Sequence, residues 1–165
     1  MSLGLYLHIP YCFSKCRYCD FYSHPGERGV PEAYVDALLR ELDRFAPEAP
    51  LQPDTLYFGG GTPSLLRPEQ AKRLIDAARP MPGAEITLEA NPETVTEESL
   101  AGFREAGVNR ISFGVQSARD TQLRTLGRPH TAKQARAAFA AARRAGFTNI
   151  SGDIMLALPH YTEAE

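Results

Sequence analysis

Cys12, Cys16 and Cys19 are the only cysteines in the chain, and they fall in one segment, Cys12-Phe13-Ser14-Lys15-Cys16-Arg17-Tyr18-Cys19, with the spacing C-x3-C-x2-C. An odd number crowded this closely cannot build a disulfide framework, whereas thiols kept reduced are available as ligands. Three thiolates so spaced can hold three corners of an iron–sulfur cubane, and without a fourth cysteine one iron is left open to a substrate or cofactor. Two plainer readings stand beside it: a structural zinc site completed by His8 or His24, or three incidental thiols. Neither histidine falls in a familiar zinc spacing.

A second feature is the run Gly59-Gly60-Gly61-Thr62-Pro63. Glycines at a strand end let a ligand approach bare backbone, yet they are also a common way simply to leave a strand. The run is neither a P-loop, since no Gly-Lys-Ser/Thr follows, nor the dinucleotide pattern G-x-G-x-x-G. Its weight depends on where the fold places it.

The elements that must position these residues alternate between short apolar strands and amphipathic helices. Leu5–Ile9 reads as a first strand that runs into the cysteine segment. Pro31 sits where the first turn of a helix tolerates proline, with Val35, Leu38, Leu39, Leu42 and Phe45 at helical spacing. The stretch from Pro47 to Pro53 ends that helix, and Thr55–Phe58 forms a second strand leading into the glycines. Ala71, Leu74, Ile75 and Ala78 mark the next helix, and Glu85–Ala90 the third strand. Thr94 and Glu97 have capping-box spacing, opening a helix through Leu100 and Phe103 that stops at Gly107. A fourth strand covers Arg110–Val115, with a short helix around Leu123 and Leu126. Thr131 and Gln134 cap an Ala-rich helix that stops at Gly146, before a fifth strand over Asn149–Met155.

Ala106-Gly107-Val108-Asn109-Arg110-Ile111-Ser112 is echoed by Ala145-Gly146-Phe147-Thr148-Asn149-Ile150-Ser151, so one helix-end, turn and strand-start is used twice. Regular alternation predicts a parallel sheet with right-handed crossovers, curved into a barrel or open and doubly wound. Residues 158–165 read as a loop and the first turn of another helix, which points to a barrel cut before closure. In either sheet the C-terminal strand ends share one mouth. The cysteines follow strand one, the glycines strand two, Glu89 and Asn91 end strand three, Gln116 and Ser117 follow strand four, and Asp153 lies in strand five. Each alone could be a strand-end cap, but five in succession describe a site.

Composition narrows the partners. The chain has 165 residues and 18.2 kDa, with 43% hydrophobic and 23% charged residues, an ordinary globular balance. A formal net charge of -2 gives no electrostatic case for nucleic acid. No apolar run approaches the ~20 residues of a spanning helix, and the N-terminus lacks the basic and apolar regions of a secretory signal, so a cytoplasmic location is expected.

Taken together, Tyr6-Leu7-His8-Ile9-Pro10 with the cysteine triplet, Gly-Gly-Gly-Thr-Pro, Glu89-Ala90-Asn91-Pro92, Gly114-Val115-Gln116-Ser117, Gly127-Arg128-Pro129-His130, and Asp153 with Leu158-Pro159 resemble the radical S-adenosylmethionine (SAM) superfamily. Within it the chain is similar to the oxygen-independent coproporphyrinogen III oxidase family and its haem-chaperone branch. The resemblance implies the N-terminal portion, 1–165, of a (β/α)6 TIM-like barrel, α/β in class, whose sixth strand and C-terminal domain lie beyond this chain. It implies a [4Fe-4S] cluster on Cys12, Cys16 and Cys19, with the amino and carboxylate groups of SAM on the fourth iron. It further implies Tyr6 and Tyr18 beside cofactor and cluster, Gly60, Gly61 and Thr62 at the methionine amino group, Glu89 and Arg128 at its charged end, and Gln116 and Asp153 at the ribose. The implied chemistry is one-electron reduction of the sulfonium, fed by a reducing electron donor, to yield a radical that abstracts hydrogen. The porphyrinogen oxidases carry an additional cysteine two residues after the triplet, where this chain has Phe21. That substitution implies a chaperone that binds haem and delivers it to haem-accepting proteins, ahead of a porphyrinogen oxidase that decarboxylates propionates. A zinc-stabilised α/β binding domain is the third alternative.

Overall fold

The computed structural model describes residues 2–45 and 51–158. Five strands carry the fold: β1 (Gly4–Ile9), β2 (Thr55–Gly60), β3 (Glu85–Ala90), β4 (Arg110–Gln116) and β5 (Asn149–Ile154). Between them lie α1 (Glu32–Phe45), α2 (Pro68–Ala78), α3 (Glu97–Ala106), α4 (Asp120–Leu126) and α5 (Ala132–Arg144). Short 3-10 turns at Pro63–Leu65 and Pro92–Thr94 follow β2 and β3.

The strands pair in sequential order, β1-β2-β3-β4-β5, and every pairing is parallel. A doubly wound sheet reverses its strand order at a switch point, and this sheet never does. Right-handed crossovers that all advance in one direction put their helices on one side, which is the winding of a barrel. Among the described residues β1 and β5 each pair on one side only, so the sheet is a partial barrel wall.

Register explains which face is dry. Leu5 pairs with Leu56, Leu56 with Ile86, Leu88 with Ile111, and Ile111 with Ile150, so apolar side chains form continuous rows on one face. Ile9, Leu56, Phe58, Leu88, Ile111 and Phe113 are fully buried there, against Val35 of α1, Leu74 of α2, Leu100 and Phe103 of α3 and Ala142 of α5. At about 25 cal/mol per Å2 this outer layer supplies most of the apolar stabilisation. Neighbouring helices are also tied by ions: Arg73 of α2 donates to Glu32 and Asp36 of α1 at 2.7 and 2.6 Å, exposed pairs worth little individually.

Several local expectations shift. Pro31 stands one residue before α1, where its carbonyl accepts from the Tyr34 and Val35 amides. Phe45 is 74% exposed rather than on the inner face of the helix. The strands at Thr55–Gly60 and Arg110–Gln116 run further than their apolar cores, because parallel pairing continues into the glycines and polar ends. Thr94 does not cap α3: its hydroxyl donates to the Asn91 carbonyl and pairs with Ser64, while Thr96 and Ser99 form the reciprocal cap two residues later. Two overlapping Thr-x-x windows compete, and the 3-10 turn at Pro92 takes the first. The Thr131/Gln134 cap and the left-handed Gly107 stop are as expected. Most of the helix-ending stretch 47–53 and, beyond residue 158, the loop and first helical turn expected over 158–165 lie outside the described residues.

Candidate functional site

Strand alternation turns the opposite face inward, and its residues are polar. Tyr57 pairs with Thr87, Glu89 with Ser112, Ser112 with Ser151, and Gly114 with Asp153. At the C-terminal ends of the strands this face opens into a cavity of about 160 Å3. Cys12, Cys16, Cys19, Tyr18, Gly60, Gly61, Thr62, Glu89, Gln116, Arg128 and Asp153 all line it. Of the residues expected to bind cofactor, only Tyr6 does not. It stacks on Tyr57 at 6.0 Å between centroids, against Gly59, and is 53% exposed.

The cysteine loop is closed by a short parallel pair, Tyr11–Cys12 with His24–Pro25. The Cys19 amide donates to the Cys16 carbonyl at 3.2 Å, and the Arg17 amide to the Leu126 carbonyl at 3.0 Å, which pins the loop to the end of α4. All three thiols are free, and Cys12 is buried.

The glycine run is required by close approach. A Cβ on Gly61 would meet the Tyr11 carbonyl oxygen at 2.7 Å and Cys12 Sγ at 2.9 Å. Gly60 has φ +121°, and a Cβ there would strike the His8 ring at 2.7 Å. The Gly60 amide donates to one Glu89 oxygen at 3.2 Å, and the Tyr57 hydroxyl to the other at 2.7 Å, so the carboxylate is held from both sides. Burial, then the bond to Glu89, pushes the Tyr57 phenol above its ordinary value, which keeps it a donor.

Arg128 crosses the cavity. Its Nη1 donates to Cys16 Sγ at 3.3 Å, and its Nη2 to Asn91 Oδ1 at 2.6 Å and to the Gly114 carbonyl at 2.5 Å. Burial alone would lower its basicity, but the bond to Cys16 and the charges of Cys16, Tyr18 and Glu93 hold it above the ordinary value. Its Nε is buried without a partner among the described residues. Asn91 passes the network on, donating from Nδ2 to the Thr62 hydroxyl at 3.0 Å, which in turn donates to Cys12 Sγ at 3.5 Å. Burial pushes Tyr18 up to about 12, so its phenol stays neutral beside the thiols.

On the far wall, Ser112 donates to Asp153 at 3.5 Å and accepts from Ser151 at 2.9 Å. Gln116 sits just after a β-bulge at φ +66°, a left-handed conformation that re-aims its side chain. Phe21, which lines the cavity too, is 70% exposed.

Tyr57 and Ser112 lie outside the motifs that carry the resemblance, whereas Asn91, Gly114 and His130 fall within them without an assigned role. The signal for Tyr57 and Ser112 was strand parity, readable once the inward face was known. The contacts of His130 carry no local signal, because its partners are 15 and 37 residues away.

The geometry also bears on the metal. His8 has both ring nitrogens engaged, Nδ1 with the Tyr6 hydroxyl at 3.3 Å and Nε2 with the Tyr22 carbonyl at 3.2 Å, so it is not poised as a zinc ligand. Among the described residues no three His, Cys, Asp or Glu side chains are grouped to hold one metal ion. A cubane uses a wider arrangement, with each thiolate on its own iron. Three free thiols on one wall, a backbone cradle that a Cβ would fill, and a buried guanidinium N–H without a partner suit a cluster beside an amino-acid ligand.

Comparison with known proteins agrees. Residues 6–165 match the family model of the radical SAM superfamily. The chain is 44% identical over 163 residues to the heme chaperone HemW of Escherichia coli, covering 95% of this chain and 43% of that protein. It is 41% identical over 164 residues to the heme chaperone HemW of Bacillus subtilis, with 95% and 43% covered. Its fold superposes on coproporphyrinogen III oxidase (HemN) of Escherichia coli, a radical SAM enzyme, with a TM-score of 0.86, 32% identity, and 98% and 38% of the two chains covered. The chain thus spans less than half the length of these relatives. The superfamily is defined by a [4Fe-4S] cluster and SAM, and no helix among the described residues is long and apolar enough to cross a membrane. With the match running from Tyr6 in β1 through every strand end that builds the cavity, the chain belongs to the radical SAM superfamily.

Proposed function

We propose that this chain is the cluster- and cofactor-binding portion of a haem chaperone. The observation that carries the reading is the gathering of all three cysteines, the glycine run and the ends of β3, β4 and β5 around one cavity. Cys12, Cys16 and Cys19 would hold a [4Fe-4S] cluster and leave one iron to the amino and carboxylate groups of SAM. When bound, the pair supplies one-electron reduction of the sulfonium.

The chain's own residues do the placing. Glu89, fixed by Tyr57 and Gly60, offers a carboxylate face to an ammonium, together with the polar edge formed by Gly61 and Thr62. Arg128 offers its unpartnered Nε–H to a carboxylate. Gln116 and Asp153 suit ribose hydroxyls, and Tyr18 closes the site beside the cysteines, while Tyr6 stacks on Tyr57, which holds Glu89. Among the described residues, Ser112 at 3.5 Å is the side-chain donor to Asp153, whose oxygens can accept further hydrogen bonds. An external reductant delivers the electron.

The haem role rests on the relatives named as chaperones and on Phe21, which stands where the porphyrinogen oxidases have their additional cysteine. In this reading residues 1–165 are the N-terminal portion of a core domain whose sixth strand and C-terminal domain follow, as the partial coverage of the relatives supports. Haem, haem-accepting proteins and a cytoplasmic setting belong to the same proposal. The structural likeness to coproporphyrinogen III oxidase favours one second reading, a porphyrinogen dehydrogenase.

The two separate by assay. Haem added to the protein should give a saturable Soret shift and pass to an apo-acceptor, with coproporphyrinogen III left unchanged under anaerobic reducing conditions with SAM. Conversion of coproporphyrinogen III to protoporphyrinogen IX would overturn the chaperone reading.

A further inference from the structure

The polar groups around the thiols form a connected network of donors whose ends are two cysteine sulfurs. Arg128 donates directly to Cys16 Sγ at 3.3 Å. Through Asn91 and the Thr62 hydroxyl the same guanidinium is linked to Cys12 Sγ, by steps of 2.6, 3.0 and 3.5 Å. Both Thr62 and Arg128 are buried, where hydrogen bonds are electrostatically stronger than in water.

We infer that Arg128 and Thr62 set the reduction potential of the cluster by hydrogen-bonding the Cys16 and Cys12 sulfurs, with His130 as the positioning residue that holds Arg128 in place. Donors to cluster sulfurs, and a positive charge beside them, stabilise the reduced and more negative state and so raise the potential.

The anchoring of Arg128 has a backbone cause. The β-bulge between Gly114 and Gln116 disturbs the ladder with β5, and the two carbonyls at this irregularity are used by side chains. Arg128 takes the Gly114 carbonyl at 2.5 Å, and His130 Nε2 takes the Val115 carbonyl at 3.1 Å. A carbonyl can only accept, so Nε2 carries a proton. Nδ1 of the same ring meets Glu93 Oε2 at 3.1 Å, and His130 is only 2% exposed. The turn after α4 is therefore clamped two residues from Arg128, and the guanidinium cannot swing from Cys16 without orphaning buried donors.

Arg128 would then serve two sites. A carboxylate on its free Nε–H would partly neutralise the guanidinium, so cofactor binding and cluster potential are coupled through one side chain. This rests on the cluster assignment proposed above.

The test is potentiometric titration of the anaerobically reconstituted protein, followed by electron paramagnetic resonance of the reduced cluster. At a fixed poise, Arg128→Gln should lower the reduced-to-oxidised ratio about tenfold, which is about 59 mV for one electron. Thr62→Val, which keeps the shape and removes the donor, and His130→Gln, which leaves Arg128 in the chain, should shift it in the same direction by less. The Fe–S(Cys) stretching frequency should rise in Arg128→Gln and Thr62→Val as each donor is lost. Should Arg128→Gln assemble no cluster, the other two variants read the same prediction. Cluster-bearing variants with the wild-type potential would overturn this inference alone. A wild-type protein that assembles no [4Fe-4S] cluster would overturn the assignment beneath it.

Discussion

The two faces of the sheet are built from the same strands and obey opposite rules. On the outer face Leu56, Phe58, Leu88, Ile111 and Phe113 have no exposure and make only apolar contacts with the helices. On the inner face their strand neighbours Tyr57, Glu89, Ser112 and Gly114 form a polar wall whose groups are tied by hydrogen bonds to one another and to Arg128. The outer face tolerates nothing polar because it has no water, whereas the inner face is satisfied across strands and keeps only a few donors and acceptors free. Stability and ligand chemistry are thus separated by the pleat, one residue apart in sequence.

Mutations should break that division in different ways. The largest effect is expected from Phe58→Ala on the outer face, about 3–5 kcal/mol lost in chemical denaturation. Where the variant still folds, its iron content per folded molecule should match wild type. Gly61→Ala should cost less stability, about 1–3 kcal/mol from overpacking, yet lose most cluster loading, because the new Cβ would meet Cys12 Sγ at 2.9 Å and the Tyr11 carbonyl at 2.7 Å. Iron and sulfide assay after reconstitution checks it.

Tyr57→Phe removes one support of Glu89 and should cost about 1 kcal/mol. Calorimetry should show weaker SAM binding with the cluster intact. Thr96→Ala removes the true cap of α3 at about 1 kcal/mol or less, and should leave both cluster content and SAM affinity unchanged. An equal loss of SAM affinity in Thr96→Ala and Tyr57→Phe would mean that the faces are not independent.

Much of this arrangement was legible in the sequence. Five strand cores and the order of polar strand ends follow from periodicity, and the cysteine spacing suits an open-corner cluster with zinc left as an alternative. Sequential strand order was not legible, because alternation alone is shared by wound and doubly wound sheets. Thr94 misled because two capping windows overlap, and only the packing of Ser64 and Asn91 against its hydroxyl decides between them. Phe45 fits the helical stripe but is the last residue of α1 and is exposed, with Val35 and Leu42 the buried positions of that helix. The Arg128–Asn91–Thr62 network joins residues 29 to 37 apart, and no local pattern encodes such a contact. The bulge between Gly114 and Gln116 is equally silent, since Gln116 carries a positive φ without being glycine.

The central claim is that three cysteines on one wall hold an iron–sulfur cluster with an open corner. Anaerobic reconstitution with iron and sulfide, followed by metal and acid-labile sulfide analysis of wild type and Cys16→Ala, tests it most directly. Wild type should show the stoichiometry of a [4Fe-4S] cluster and a spectrum that changes when SAM is added, and Cys16→Ala should hold no four-iron cluster. Zinc without sulfide in wild type, or an intact four-iron cluster in Cys16→Ala, would contradict it.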